Sequence, residues 1–275
     1  KSKAQKEHIK VYYDIDDYIF NYDAIKNIGF LKGKEYKNFK EYTKIIKNCM
    51  DICDAYIVST VNLKNVVQQQ FVNKKVIINR NVASMEMVIE SLRLKKVKKD
   101  SITLGYFSGS TTHNDDFESI KDVLISIMKE NINIHLLVAG QIELPVEFNS
   151  VKNQVERFEF VSWKELPHLL MKADINLMPL ENTIFHACKS ENKWMEAALV
   201  NVPTIASWNN ELETIIQDGV DGFLCKDMQE WNDKIHRLVD DESLRKKMAS
   251  VAHERVMKEY TTDDIELEVF ETIVG

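Results

Sequence analysis

Apolar runs of strand length alternate along the chain with longer stretches in which apolar residues recur every three or four positions. That alternation builds α/β proteins with parallel sheets. The runs fall in two groups. The first predicts strands near 9–14, 55–59 and 75–79, a long helix over about 34–53 and a shorter one near 61–71. The second predicts strands at 102–107 (ITLGYF), 133–139 (NIHLLVA), 156–161 (ERFEFV), 174–179 (DINLMP), 203–206 (PTIA) and 222–224 (GFL), with helices in the gaps. From residue 227 on, three helical segments follow: MQEWNDKIHRLVDD, ESLRKKMASVAHERVMKEY and TTDDIELEVFETIV, the last with Thr261 or Thr262 as its cap.

Residues 92–101 are rich in lysine and lack apolar periodicity, so they read as the linker between the groups. This gives a partial N-terminal domain over 1–97, a second domain over 98–260 and a terminal helix over 261–275 that could cross back to the first. Three strands make a poor independent sheet. The first domain therefore reads as incomplete, either truncated, with earlier strands upstream of residue 1, or unusually reduced.

Residues 188–207, CKSENKWMEAALVNVPTIAS, read as a loop, a helix and a buried strand in succession. A helix N-terminus at the edge of a parallel sheet turns unpaired N–H groups and the positive dipole end toward an anion. Lys189 and Lys193 add full charges there, while the carboxylate of Glu196 suits sugar hydroxyls better than phosphate. A phosphosugar or nucleotide is the expected ligand. Lys193 and Glu196 also fit an ordinary i, i+3 surface pair, and Trp194 and Met195 fit the core.

With 275 residues and 44% hydrophobic composition, the chain can bury two cores. Its net charge of -7 argues against a nucleic-acid partner. The local run RLKKVKK at 93–99 reads either as a solvated linker or as a peripheral contact with an anionic membrane. Cys49, Cys53, Cys188 and Cys225 form no CxxC pair and no zinc spacing, so neither a disulfide framework nor a metal knuckle is expected. No apolar run has the length of a membrane span, and the charged start KSKAQKEHIK does not read as a secretory signal. A cytoplasmic protein is expected, working at the inner face of the membrane if the lysine run makes that contact.

Asp14, Asp16 and Asp17 follow an apolar run and would project from a strand's carboxyl end. They can form a plain turn, hold a divalent cation, or read as a phosphatase-like nucleophile pair, though Tyr18 stands where that motif has a threonine.

The order of GYFSGSTTH, FVSW, DINLMPL, KSENKWMEAALVNVPTIAS and IIQDGVDGFL resembles the donor-binding half of a GT-B glycosyltransferase of the retaining group 1, or family 4. YDIDDYIF, DAYIVST and VIINRNV resemble the second half of that family's N-terminal domain, so the likeness covers nearly the whole chain. The resemblance implies a GT-B-like α/β fold of two Rossmann-like domains with parallel sheets, the N-terminal one incomplete. It implies a nucleotide-sugar donor, a saccharide or lipid-linked acceptor, surface polysaccharide synthesis and no required metal.

By the same resemblance Glu196 contacts the ribose, Lys189, Ser190 and Lys193 serve the diphosphate, and Val161 and Trp163 lie at the base. The family's first donor-helix glutamate falls on Cys188, with Glu191 its nearest substitute. Gly109, Ser110 and His113 replace the usual arginine and lysine after the first strand, leaving backbone N–H groups to cradle phosphate. Asp16 and Asp17 would stand on the acceptor side, one orienting a hydroxyl or acting as base. A non-catalytic nucleotide- or sugar-binding module and a sugar-nucleotide epimerase are the other readings.

Overall fold

The computed structural model describes residues 2–25, 33–97, 99–109, 113–262 and 273. The chain divides into two compact units. One takes in the residues up to Asn81 together with Asn182–Ser190, and the other comprises Val82–Glu181 and Glu191–Asp264.

In the first unit, strands β1 (Tyr12–Ile15), β2 (Ala55–Val58) and β3 (Lys75–Ile78) run parallel in the order β1-β2-β3, with Tyr12 opposite Ala55 and Ala55 opposite Lys75. Short helices α1 (Ser2–Lys6) and α2 (Tyr22–Ile25) precede the long α3 (Gly33–Ile52). Helix α3 buries Thr43, Ile46 and Met50, which share one face at helical spacing. Helix α4 (Val61–Gln70) starts on Thr60, whose hydroxyl accepts from the Leu63 amide at 3.1 Å. Its Val67 joins Phe20, Met50, Tyr56 and Phe71 in the core.

The second unit holds helix α5 (Met85–Arg93) and six parallel strands: β4 (Ile102–Ser108), β5 (Ile134–Gly140), β6 (Val155–Phe158), β7 (Ile175–Met178), β8 (Thr204–Ser207) and β9 (Phe223–Cys225). Their order is β6-β5-β4-β7-β8-β9. The chain winds outward from β4 to β6, then returns to β7 and winds out the other way. A topological switch point results between the carboxyl ends of β4 and β7. Both faces of this sheet are covered. Leu104, Tyr106, Leu136, Val138, Ile175 and Leu177 pack on one side, while Phe107, Leu137 and Ala139 pack on the other. That is why these strands are apolar almost without alternation.

Around the sheet lie α6 (Asn114–Ser119), α7 (Lys121–Glu130), α8 (Leu166–Leu170), α10 (Asn192–Leu199), α11 (Leu212–Ile215), α12 (Met228–Asp240) and α13 (Glu242–Glu259), while α9 (Ile184–Ala187) belongs to the first unit.

All nine expected strands are present, with ends shifted by up to three residues. The two units meet along the sequence at Asn81 and Val82, upstream of the expected boundary at 97 and 98. The reason is α5, whose Met87 and Val88 pack with Met195 and Ala198 of the second unit. The lysine stretch read as an interdomain linker thus lies inside that unit. There Lys96 donates to the Ala173 carbonyl at 2.7 Å and pairs with Asp174 at 2.9 Å. Apart from Thr261, Thr262 and Ile273, the expected terminal helix over 261–275 lies outside the described residues.

Candidate functional site

The carboxyl edge of the six-stranded sheet gathers most of the expected donor residues. Strand β4 ends at Ser108 beside Gly140 of β5, which is held at φ +101; a Cβ there would stand 1.8 Å from the Ser108 carbonyl oxygen. Only glycine fits that close approach. Gly109 comes next, where, among the described residues, a side chain would meet the Phe160 ring edge alone, at 3.8 Å. Ser110 lies outside the described residues.

Beyond β4, His113 meets Asp116, which sequence reasoning passed over. Asp116 is fully buried, and its carboxylate takes His113 Nδ1 at 2.8 Å on one oxygen and the Glu181 amide at 2.8 Å on the other. One side chain thus ties the loop after β4 to the loop after β7, across the switch point. The Tyr106 hydroxyl donates to the His113 carbonyl at 3.0 Å. Burial, reinforced by Asp116, holds the Tyr106 phenol well above its usual range, so it stays a proton donor.

Helix α10 carries Lys193 and Glu196. Lys193 places its ammonium 4.5 Å from the centre of the Tyr106 ring, a cation–π contact. Its carbonyl accepts from Asn176 of β7 at 3.0 Å, and Asn176 also donates to Thr204 of β8 at 3.0 Å. The helix is therefore fixed to the two strands beneath it. Burial raises the Glu196 carboxyl to about 7, with Lys193 pulling the other way. Trp194 and Met195 are core residues, as expected. Trp194 Nε1 donates to the Asp221 carbonyl at 2.8 Å, and the Asp221 carboxylate pairs with Arg255 of α13 at 2.7 Å. The QDGVDG turn is thus the buttress of helix α10.

Glu191 caps α10 from a fully buried position, and its backbone carbonyl takes the amides of Trp194 and Met195. Val161 packs against the core face formed by Phe107 and Leu137, so it offers a ligand backbone rather than side chain. Trp163 and Phe160 instead leave about half their rings open, at 47% and 57% exposure. The Lys164 ammonium lies 5.2 Å from the Trp163 ring.

The remaining expected residues meet in the first unit. Asn81 Nδ2 donates to Asp16 Oδ1 at 2.9 Å and to Ser190 Oγ at 3.0 Å, and Lys189 pairs with Asp17 at 2.9 Å. Cys188 packs in the core of this unit, and its carbonyl accepts from the Thr60 hydroxyl at 3.1 Å. The apolar thiol is a packing residue where the resemblance would have a carboxylate. Burial and then the neighbouring Asp16 raise the carboxyl of Asp14. Lys189 and Ser190 thus stand with the aspartates, while Lys193 and Glu196 stand with the sheet edge of the second unit.

The model of the family described as glycosyl transferases group 1 matches residues 102–241. The chain belongs to that family. Its matched segment spans the six strands and helix α10, and the transferase has a GT-B fold. Among solved structures, HepE of Anabaena in complex with UDP and glucose is 16% identical, with 99% of this chain and 73% of that one covered at a TM-score of 0.67. WaaG, a glycosyltransferase involved in lipopolysaccharide biosynthesis, is 16% identical over 100% of this chain and 80% of its own, at 0.67. A mutant of S. aureus TarM in complex with fondaparinux, alpha-GlcNAc-glycerol and UDP is 14% identical over 97% and 51%, also at 0.67. No curated protein matches the chain. Among the described residues, no helix is long and apolar enough to cross a membrane.

Proposed function

We propose that this transferase moves a sugar, with retention at the anomeric carbon, from a nucleotide sugar to a saccharide or lipid-linked acceptor in surface polysaccharide assembly. It would work in the cytoplasm, at the inner face of the membrane. The observation that carries the reading is the convergence of Gly109, His113, Lys193 and Glu196 on the carboxyl edge of a doubly wound sheet, the edge where such sheets bind ligands. HepE and TarM, which share the fold, are complexed with UDP in their structures, and this supports a uridine or related nucleotide donor.

The main chemical task is to stabilise the leaving nucleoside diphosphate. Lys193 supplies the cation, Gly109 lets a phosphate approach the strand end, and Asp116 holds His113 through its ring nitrogen. Glu196, when ionised, accepts from the ribose hydroxyls. The open rings of Phe160 and Trp163 suit stacking on the base. No metal is assigned to the leaving group. On the first unit, Asn81 orients Asp16 for an acceptor hydroxyl. Lys189, paired with Asp17 and joined by Ser190, sets the charge of that acceptor patch.

Incubation with UDP-glucose, UDP-GlcNAc and GDP-mannose tests the reading, with nucleotide release followed by proton NMR. Release of nucleoside diphosphate with an axial anomeric product from an axial donor is expected. An inverted product would sink the retaining assignment. Saturable nucleotide binding with no donor turnover would favour the non-catalytic module.

A further inference from the structure

The first unit contains a pocket that shares no residue with the acceptor patch or the donor edge. It is a cavity of about 230 Å³ beside α3, lined by Lys40, Thr43, Lys44, Lys47, Tyr22 and Gln70, among others. The helix supplies its cations at positions three and four apart, which places them along one side of the same face. Lys44 is paired with Glu41 at 2.7 Å. Among the described residues neither Lys40 nor Lys47 has a carboxylate partner, and the Lys40 ammonium lies 4.7 Å over the Tyr22 ring.

Thr43 is 4% exposed, and its hydroxyl is buried without a hydrogen-bond partner. A helical threonine ordinarily bonds back to a carbonyl of the preceding turn, and a buried hydroxyl left unbonded is destabilising. Thr43 lines the cavity, and an unbonded hydroxyl at a wall that carries three lysines is what an anion would satisfy. Gln70 accepts from Asn21 through Oε1 at 3.3 Å, so its Nε2 is the end left to donate.

We propose that this pocket binds a phosphate group. Three ammonium groups, a hydroxyl and an amide offer donors from several directions, which suits a tetrahedral, doubly charged oxyanion. A carboxylate is better matched by a planar arginine fork, and no arginine lines the cavity. The volume is below the roughly 300–1,000 Å³ of pockets that enclose a whole small ligand. Only the phosphate and the atoms next to it enter, and the rest of the molecule stays outside. Such a group can belong to a phosphorylated polyol or sugar, or to the headgroup of an anionic lipid.

The test is titration of the whole chain with sn-glycerol 3-phosphate by calorimetry, with glycerol as the uncharged control. In parallel, the chain is sedimented with phosphatidylcholine vesicles with and without phosphatidic acid. Thr43→Val should weaken binding about tenfold, the loss expected for one hydrogen bond to a charged group. The double change Lys40→Met, Lys47→Met should abolish it. Both variants should bind UDP as the wild type does, which separates this pocket from the donor edge. Thr43→Val removes no hydrogen bond, so its unfolding midpoint should not fall. Saturation by glycerol 3-phosphate would assign a soluble ester; retention by phosphatidic acid vesicles alone, lost in both variants, would assign a lipid. No response to either probe, or a response equal in wild type and Thr43→Val, overturns the proposal.

Discussion

The Glu196 carboxyl, raised to about 7 by burial, keeps its proton over a range in which an exposed glutamate has lost it. Between about pH 4.5 and 7 the folded chain therefore holds a proton that the unfolded chain releases, and stability must fall as pH rises through that window. The loss is on the order of 2–3 kcal/mol. Urea unfolding at pH 5 and pH 8 should show it in the wild type and not in Glu196→Gln. If the ionised form holds the ribose, UDP affinity should also rise between pH 6 and 8 and should be flat in that variant. Asp116→Ala strands the Glu181 amide and releases His113. It should cost about 2–4 kcal/mol in the same unfolding assay. Asp116 was not legible in the sequence because NDDFES reads as acids at a helix start, and nothing local says which of them is buried. Lys193 and Glu196 were legible because an entire loop, helix and strand surround them. The pairing of Lys189 with Asp17, between residues far apart in sequence, was not.

At the scale of elements, the donor edge depends on backbone fit. Gly140→Ala would drive a methyl into the Ser108 carbonyl and part the ends of β4 and β5. A loss of about 3 kcal/mol or more is expected by chemical denaturation, together with weakened nucleotide binding. The sequence showed the strands of the second unit within a few residues because both faces of each are buried, which makes the apolar run continuous. It did not show α5: no helix was expected over Met85–Arg93, although Met87 and Val88 form a buried face there. Which unit that face packs against is a tertiary fact, and so the boundary was placed at 97 and 98 instead of at Asn81 and Val82. The QDGVDG turn was legible as a motif of the family resemblance. Its work, locking Trp194 and Arg255 around Asp221, depends on partners 27 and 34 residues away.

At the scale of the molecule, the charges are divided by task. The second unit presents a lysine and a titrating carboxylate at a switch point. The first presents paired aspartates and, beside α3, a lysine-lined pocket that shares no residue with the proposed donor edge. The chain spans 73% of HepE and 51% of TarM, and the transfer chemistry proposed here rests on the proposed donor edge. That edge is tested most directly by calorimetric titration of the wild type, Lys193→Ala and Glu196→Ala with UDP, GDP and dTDP at pH 8. One nucleotide should bind saturably at one site, and each substitution should weaken it about tenfold or more. No binding of any of the three, or equal affinity in the wild type and both variants, would contradict the assignment of the donor site to α10.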